Sequence, residues 1–196
     1  MKKIFVLGDS ISIYYGPFLE KLLKGKMDYD RKGKDGEVGN INSVSPMNGG
    51  DSNNVLEYVR DYLKKEYDVM LLNCGLHDIK TVETKQVPED KYKSNLEEVI
   101  SLVRGKGKEI IWVNTTPVND EVHLAKLKDF KRFNKDVIKY NEIAKEVMDR
   151  LNVPVIDLYT FTAGFGKDIY ADHVHFLDEI CEKQAEFIKE AILSLV

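Results

Sequence analysis

The feature of this sequence that most constrains its fold is a series of short apolar runs in which hydrophobic and polar residues do not alternate. The runs occupy residues 4–7, 69–74, 109–114 and 154–158, and segments with apolar residues at helical spacing separate them. Unalternating apolar runs predict strands that helices cover on both faces. Strands that alternate with helices along the whole chain predict an α/β domain with a mainly parallel sheet and right-handed crossovers.

Turn-forming and capping residues set the expected bounds of the other elements. A first helix is expected from Pro17, because proline favours the first helical position, and Asp51 or Ser52 is the expected N-cap of a second. Residues 24–48 are expected to be mostly loop with a short strand at 38–44, and a loop is expected after residue 158. The remaining helices are predicted at residues 88–104, at 123–151 in two pieces, and at 178–195.

Length and composition indicate a single domain spanning residues 1–196. A chain of 196 residues suits one core, and contents of 43% hydrophobic and 32% charged residues are typical of a soluble globular protein. The net charge of -4 gives no basic excess, so nucleic acid is not an expected partner. No apolar run is long enough to span a membrane. The sequence does not predict an oligomeric state.

The N-terminus and the cysteines bear on location. The apolar segment after Met1 ends at Gly8, which is too short for a signal peptide, so a cytoplasmic protein is expected. Secretion would require that a signal peptide had already been removed. Cys74 and Cys181 lack a CxxC spacing and are expected to be buried thiols rather than a disulfide or a zinc site.

Several polar residues follow predicted strands. In open α/β sheets the functional crevice lies beyond the carboxyl ends of the strands, where Ser10, the turn at Gly50, His77 and Asn114 are expected to lie. Taken alone, Gly8-Asp9-Ser10 also fits an ordinary turn. We therefore ask whether the chain supplies the partners that a serine nucleophile needs.

A base and its orienting group are available near the C-terminus. A serine nucleophile needs a general base within hydrogen-bonding distance, and the base needs a third group that fixes its tautomer. Asp172 and His175 are three residues apart in one predicted loop, so Asp172 can reach Nδ1 of His175 and leave Nε2 for Ser10. Oxyanion donors are expected from the amides of Ser10 and Gly50 and from the His77 side chain.

Four separated segments of the chain resemble, in order and spacing, the sequence blocks of the SGNH (GDSL-type) serine hydrolases. The resemblance implies a flavodoxin-like three-layer α/β/α sandwich with a mainly parallel five-stranded sheet. It also implies that Ser10 is the nucleophile, His175 the base, Asp172 its orienter and Gly50 an oxyanion amide. The blocks are Gly8-Asp9-Ser10, Gly50-Asp51-Ser52, Gly75-Leu76-His77-Asp78 and Asp172-His173-Val174-His175.

The third block departs from the family pattern. The family usually carries Gly-x-Asn-Asp there, and this chain has His77 at the Asn position. An amide always donates, whereas a neutral imidazole donates from Nε2 in only one tautomer. We hypothesise that His77 still donates to the oxyanion; the alternative is that His77 packs structurally while Asn73 or another amide replaces it. Asp9 and Asp78 are expected to support the turns rather than to act on substrate.

Other polar and aromatic residues receive structural interpretations. A zinc site built from His77, His173 and His175 is an alternative that the assignment of His175 as a base argues against, and no metal or cofactor is expected. His123 is expected at the surface, and the charge runs at 24–34 and 126–139 are expected to be solvated. Four aromatic residues fit either a substrate cleft or the core: Tyr14, Tyr15, Phe165 and Tyr170.

The resulting prediction is a serine esterase or acylhydrolase that acts through an acyl-enzyme on Ser10. The resemblance favours short acyl groups, such as acetyl on a carbohydrate, and so a small-molecule or carbohydrate ester as substrate. One alternative is a thioesterase or lysophospholipase with the same machinery. The other is a noncatalytic binding domain of the same fold, which the altered third block leaves open.

Overall fold

A parallel sheet of five strands forms the centre of the computed structural model, which describes residues 1–34 and 46–196. The strands are β1 (Lys3–Leu7), β2 (Asp28–Arg31), β3 (Val69–Leu72), β4 (Glu109–Val113) and β5 (Val155–Ile156). Their spatial order is β2-β1-β3-β4-β5, and every neighbouring pair is parallel. This order is that of flavodoxin-like folds, and it confirms the predicted fold class.

Helices cover both faces of the sheet. In chain order the helices are α1 (Ser10–Leu23), α2 (Ser52–Tyr62), α3 (Glu89–Arg104), α4 (Asp120–Lys126), α5 (Asn134–Arg150), α6 (Leu158–Ala163) and α7 (Asp178–Leu195). Helices α1 and α7 pack together, while α3 packs between α2 and α5. From β1 the chain crosses to β2 at one edge of the sheet, and from there it moves through β3 and β4 to β5 at the other edge. Because the crossovers are right-handed, α1 lies on the opposite face of the sheet from α2, α3 and α5. Burial on both faces explains why apolar and polar residues do not alternate along β1 and β3.

The first helix begins seven residues earlier than the sequence predicts. It starts at Ser10, and Pro17 lies inside it. The Asp9 carboxylate caps the helix by accepting a hydrogen bond from the Ile11 amide at 3.0 Å. Pro17 removes only its own amide from the helical ladder. The early start makes Ser10 the first residue of a helix.

The second strand lies in a segment expected to be loop. Among the described strands, Asp28–Arg31 lies at the edge of the sheet and pairs with β1 alone, and its polar sequence hides the strand pattern. Arg31 is buried and donates to the Ser12 carbonyl at 2.8 Å, so the charge run at 24–34 is not wholly solvated as expected. The strand predicted at residues 38–44 lies outside the described residues.

The other elements follow the sequence closely. The helices predicted at 88–104 and 178–195 are present within one residue, and the segment 123–151 does divide into two helices. The short helix α6 replaces the loop expected after β5, because Asp157 caps it through the Thr160 amide at 3.2 Å. Among the described residues, no helix is both long enough and apolar enough to cross a membrane. Both cysteines are buried free thiols.

Candidate active site

The candidate site lies where the sheet changes its winding direction. Ser10 follows β1 and His77 follows β3, and these two strands are adjacent at the centre of the sheet. In this fold the crevice at the carboxyl ends of such strands is the usual ligand site. The buried strands therefore place two of the predicted site residues at one edge.

The turn that presents Ser10 is held by its neighbours. Besides the Asp9 cap, the Ser12 hydroxyl donates to the Asp9 carbonyl at 2.7 Å. A side chain at Gly8 would approach Ser12 to 2.9 Å, so this position requires glycine for close packing. As the first residue of α1, Ser10 has an amide without an intrahelical acceptor, at the end of the helix that favours negative charge.

The structure brings Ser10, His175 and Asp172 together. Nε2 of His175 lies 2.8 Å from the Ser10 Oγ, and Nδ1 lies 2.6 Å from Oδ2 of Asp172. The other Asp172 oxygen accepts hydrogen bonds from the amides of Val174 and His175, each at 2.8 Å. Tyr14 stacks on the His175 ring with centroids 4.6 Å apart. The imidazole is thus fixed by hydrogen bonds at both nitrogens and by an aromatic ring on one face.

The electrostatics of Asp172 and His175 indicate which atoms carry the protons. Partial burial raises the pKa of Asp172, but the hydrogen bonds from the His175 ring and from two amides outweigh burial and hold that pKa well below its usual range. An ionised Asp172 accepts the Nδ1 proton of His175. In this tautomer, which the hydrogen bonds assign, Nε2 is left to accept a proton from Ser10.

The Gly50 turn carries a residue that the sequence analysis missed. Gly50 adopts a φ of 72°, and its amide donates to Oδ1 of Asn48 at 2.8 Å. The Gly49 amide donates to the Gly8 carbonyl at 2.9 Å, which ties this turn to the one that presents Ser10. Asn48 is wholly buried. An isolated Asn in a segment of turn residues gives no sequence signal for such a role.

His77 reaches the same asparagine. Its Nε2 lies 3.5 Å from the Asn48 Nδ2, and the ring is only 2% exposed. Burial, and then the charges of Lys80, Arg132 and His175, lower the pKa of His77 to about 2. His77 is therefore neutral, and one of its two ring nitrogens carries the only proton it can donate.

The two supporting aspartates link separate turns. Oδ1 of Asp78 accepts from the Ser52 amide at 2.9 Å, so Asp78 joins the His77 turn to the start of α2 rather than binding only its local backbone. Burial raises the pKa of Asp78 to about 7 and that of Asp9 to about 6. Each carboxylate also has one buried oxygen that finds no hydrogen-bond partner among the residues that the structure describes.

Two other asparagines point elsewhere. The Asn73 amide donates to the Val113 carbonyl at 2.9 Å. The Asn114 amide donates to Asp157 at 3.2 Å, and its oxygen accepts from the Trp112 indole at 3.2 Å. Each side-chain amide therefore directs an N–H toward the edge of the sheet at β4.

The remaining histidines form a pair beside the site. His123 is wholly buried, contrary to the predicted surface position, because α4 folds back over the loop that carries His173. Its Nδ1 lies 3.3 Å from the Nδ1 of His173. The rings of His173 and His175 are 5.9 Å apart and inclined at 59°. Within the described ranges 1–34 and 46–196, no group of three His, Cys, Asp or Glu side chains could hold a metal ion.

The aromatic candidates divide between site and core. Of the four, Tyr14 contacts the triad and Tyr15 is 1% exposed in the core, whereas Phe165 is exposed and packs edge-on against Phe161. Tyr170 lines a cavity of about 520 Å³ beside β4 and β5, whose lining residues do not include Ser10 or His175.

The predicted solvated run at 126–139 contains a second missed residue. Arg132 is 3% exposed, because it turns inward and donates from Nε to the Leu76 carbonyl at 2.6 Å. One residue in a run of exposed charges gives no periodic signal for burial.

Comparison with known proteins supplies independent evidence. A sequence model of the GDSL-like lipase/acylhydrolase family matches residues 6–180. No curated protein sequence matches the chain.

Solved structures share the fold at low sequence identity. An acetyl xylan esterase, AlAXEase, is 19% identical with a TM-score of 0.74, over 97% of this chain and 99% of that one. A lipase/acylhydrolase from Enterococcus faecalis is 18% identical with a TM-score of 0.76, over 100% and 97%. The esterase EstA from Pseudoalteromonas sp., in a structure inhibited by monoethylphosphonate, is 14% identical with a TM-score of 0.71, over 100% and 98%.

Proposed function

This chain belongs to the GDSL-like lipase/acylhydrolase family, and from this we propose that it cleaves carboxylic esters through an acyl-enzyme formed on Ser10. The observation that carries the proposal is the 2.8 Å contact between the Ser10 Oγ and Nε2 of His175, with Asp172 at 2.6 Å behind the ring. A nucleophile, a base and an orienting carboxylate in this arrangement form the usual machinery of acyl transfer.

In the first half of the proposed reaction, His175 accepts the Ser10 proton as Oγ forms a bond to the ester carbonyl carbon. The carbonyl π electrons move to oxygen and give a tetrahedral oxyanion. When that intermediate collapses, the bond to the alcohol oxygen breaks and His175 donates its proton to the leaving alcohol. Asp172 stabilises the transient imidazolium and keeps Nε2 directed at Ser10.

The second half repeats these steps with water. His175 takes a proton from the water, whose oxygen attacks the acyl carbon. The bond from the acyl carbon to the Ser10 Oγ then breaks, His175 returns the proton to Oγ, and the carboxylic acid leaves. The cycle consumes one ester and one water and needs no cofactor.

We assign the oxyanion site to the amides of Ser10 and Gly50 and to His77. Negative charge on the carbonyl oxygen is stabilised best by donors already in place before the reaction. The start of α1 supplies the Ser10 amide. Gly50 and His77 both contact Asn48 in the resting enzyme, so their donation requires that Asn48 releases the Gly50 amide and that Nε2 of His77 carries the ring proton.

For the substrate we favour short acyl groups, such as acetyl on a carbohydrate. The support is the acetyl xylan esterase of the same fold, together with the recessed position of Ser10, which is 4% exposed. A panel of acetyl, butyryl and long-chain esters, with an acetyl thioester, tests this choice. Faster turnover of the thioester or of the long-chain esters would point instead to a thioesterase or a lysophospholipase.

Labelling by a fluorophosphonate tests the nucleophile. We expect the wild-type protein to be labelled and Ser10→Ala to lose labelling, with kcat reduced by on the order of 10⁴-fold or more. Ser101→Ala, a change on the exposed face of α3, serves as the control and should keep labelling. Absence of labelling in the folded wild-type protein would favour a noncatalytic binding domain.

A further inference from the structure

Two basic side chains converge on one aromatic ring next to the site. The guanidinium carbon of Arg132 lies 4.8 Å from the centroid of Phe130, and the Lys80 Nζ lies 4.9 Å from the same centroid. Cations on an aromatic face are common, but two on one ring repel each other. Such an arrangement persists only if the fold or a bound anion stabilises it.

The backbone fixes this pair beside His77. The amides of Thr81 and Lys131 each donate to the other residue's carbonyl, at 2.9 and 2.8 Å, and so hold the two segments together. The hydrogen bond from Arg132 Nε to Leu76 attaches the guanidinium to the residue that precedes His77. The cations therefore lie at the same end of the sheet as Ser10.

The two cations lack a carboxylate partner in the part of the chain that the structure describes. Within the described part of the chain, no carboxylate oxygen lies within 4.0 Å of the Lys80 Nζ or of the Arg132 guanidinium. Arg132 donates from Nε to Leu76, and among the described residues no hydrogen-bond acceptor contacts its two Nη atoms, although the residue is only 3% exposed. Burying a charge is costly unless it is paired. Burial lowers the pKa of Arg132 to about 10 and that of Lys80 to about 8, so both remain largely cationic at neutral pH.

The two carboxylates in electrostatic range of Arg132 make their hydrogen bonds to other groups. The Arg132 charge interacts with Asp172 of the triad and with Asp9, the residue before Ser10. Asp9 accepts from the Ile11 amide, and Asp172 accepts from His175 and two amides. Asp9 keeps one oxygen without a hydrogen-bond partner among the described residues, but neither carboxylate lies within 4.0 Å of the Arg132 guanidinium, so its forked Nη face is available to a ligand.

We propose that Arg132 and Lys80 form an oxyanion-binding subsite beside Ser10, and that the natural ester carries a carboxylate or phosphate group close to its scissile carbonyl. The inference rests on the proposed ester hydrolysis and narrows its substrate class. A guanidinium fork binds either anion through two parallel hydrogen bonds, and the lysine adds a second charge.

Matched substrates test the proposal in the wild-type enzyme. We compare 4-acetoxybenzoate with 4-acetoxybenzamide, and monomethyl succinate with methyl succinamate, at pH 7. A charge-assisted contact should raise kcat/KM for the anionic member of at least one pair by about 10–100-fold. A third pair consists of the acetyl ester of glycerol phosphate and the acetyl ester of glycerol. If its anionic-to-neutral ratio of kcat/KM is larger than those of the first two pairs, phosphate is the preferred anion.

Equal kcat/KM within each of the three pairs would overturn the subsite. If fluorophosphonate labelling of Ser10 succeeds in the same preparation, the proposed esterase activity survives that result. If labelling and all hydrolysis fail, both proposals are wrong. The two failures are thereby distinguished.

Variants assign the selectivity to residues. Arg132→Gln should reduce the anionic-to-neutral ratio to near unity, Lys80→Gln should reduce it by several-fold, and Arg132→Lys should retain part of it. The control is Arg60→Gln on α2, which removes an exposed ion pair with Glu98 of α3 and should leave the ratio unchanged. Because a ratio is independent of the folded fraction, partial instability of Arg132→Gln does not obscure it.

Competitive inhibition gives a second readout. Benzoate should inhibit hydrolysis of p-nitrophenyl acetate at least about 10-fold more strongly than benzamide, and Lys80→Gln should reduce that difference even if Arg132→Gln fails to fold. Equal inhibition by the acid and the amide in wild type would contradict the subsite.

Discussion

At the scale of single residues, Asn48 has the least expected position, because it contacts two of the proposed oxyanion donors at once. Its oxygen accepts from Gly50 at 2.8 Å, and its nitrogen lies 3.5 Å from Nε2 of His77. If the amide donates to Nε2, the ring proton lies on Nδ1 and His77 cannot donate from Nε2. In that case Asn48 itself is an amide donor close to the place where the family carries an asparagine.

Substitutions separate the two donors. If His77 donates, His77→Ala lowers kcat by about 100-fold with little change in KM, because one oxyanion donor is lost. His77→Asn restores the residue usual in the family and should recover most of that loss. Steady-state kinetics on an acetyl ester measures both effects.

The opposite kinetic result would assign donation to the oxyanion to Asn48 instead of His77. In that pattern His77→Ala keeps its turnover number and Asn48→Ala loses about 100-fold. Thermal unfolding of both variants checks that the comparison is made on folded protein, since each side chain is buried.

At the scale of elements, the order of strands and turns along the sequence predicts much of the candidate site. The rest depends on tertiary packing, which the sequence pattern does not reveal. Strands β1 and β3 are recognisable as apolar runs, and parallel strands end at one edge, so the convergence of Ser10 and His77 follows from the pattern. The pairing of Asp172 with His175 follows from their spacing. Asn48 and Arg132 lie in polar segments whose burial depends on tertiary contacts, and no local periodicity encodes such contacts.

Helix α2 shows how an element's end supports the site. Asp51 caps it by accepting from the Asn54 amide at 3.0 Å, and its other oxygen accepts from the Gln86 side chain at 2.6 Å. The Asn54 side chain accepts in turn from the Asp51 amide, which completes a capping box. The cap therefore fixes the residue directly after Gly50.

Removal of this cap should affect both stability and turnover. We expect Asp51→Ala to lower the free energy of unfolding by about 1–2 kcal/mol and to reduce kcat by several-fold, because the Gly50 amide loses its anchored neighbour. Asn119→Ala is the control, since it removes a comparable cap from α4, where Asn119 accepts from Val122 at 3.2 Å. Equal losses of kcat in both variants, measured beside urea unfolding, would contradict a specific role for the α2 cap.

At the scale of the whole molecule, the carboxyl edge of the sheet concentrates buried charge. Asp9 and Asp78 are both buried there, each with an oxygen that lacks a partner within the described residues, and the Arg132–Lys80 pair lies at the same edge. Such groups cost folding free energy, and the apolar strands beneath them offset that cost. Sites that carry out chemistry commonly contain ionisable groups with shifted pKa values.

The pH dependence of unfolding should reveal the cost at Asp78. Burial raises its pKa from 3.8 to about 7, so between these values the folded state binds more protons than the unfolded state and stability falls as pH rises. A shift of about three units corresponds to as much as about 4 kcal/mol at pH 7 and above. Asp78→Asn keeps an oxygen for the Ser52 amide and removes the titration, so its stability relative to wild type should increase from pH 4 to pH 7.

The effect must be measured as a difference in unfolding free energy between Asp78→Asn and wild type. Other ionisable groups make stability depend on pH in the opposite sense. Burial lowers the pKa of His77 to about 2 and that of His173 to about 4, and these shifts make stability fall as pH decreases below about 6.5 in both proteins. Urea unfolding at pH 4, 5.5 and 7 measures the difference, and Asp61→Asn on the exposed side of α2 corrects for the loss of one carboxylate. A difference between Asp78→Asn and wild type that is constant across this range would show that Asp78 does not titrate there, and that its orphan oxygen is stabilised by a contact other than a proton.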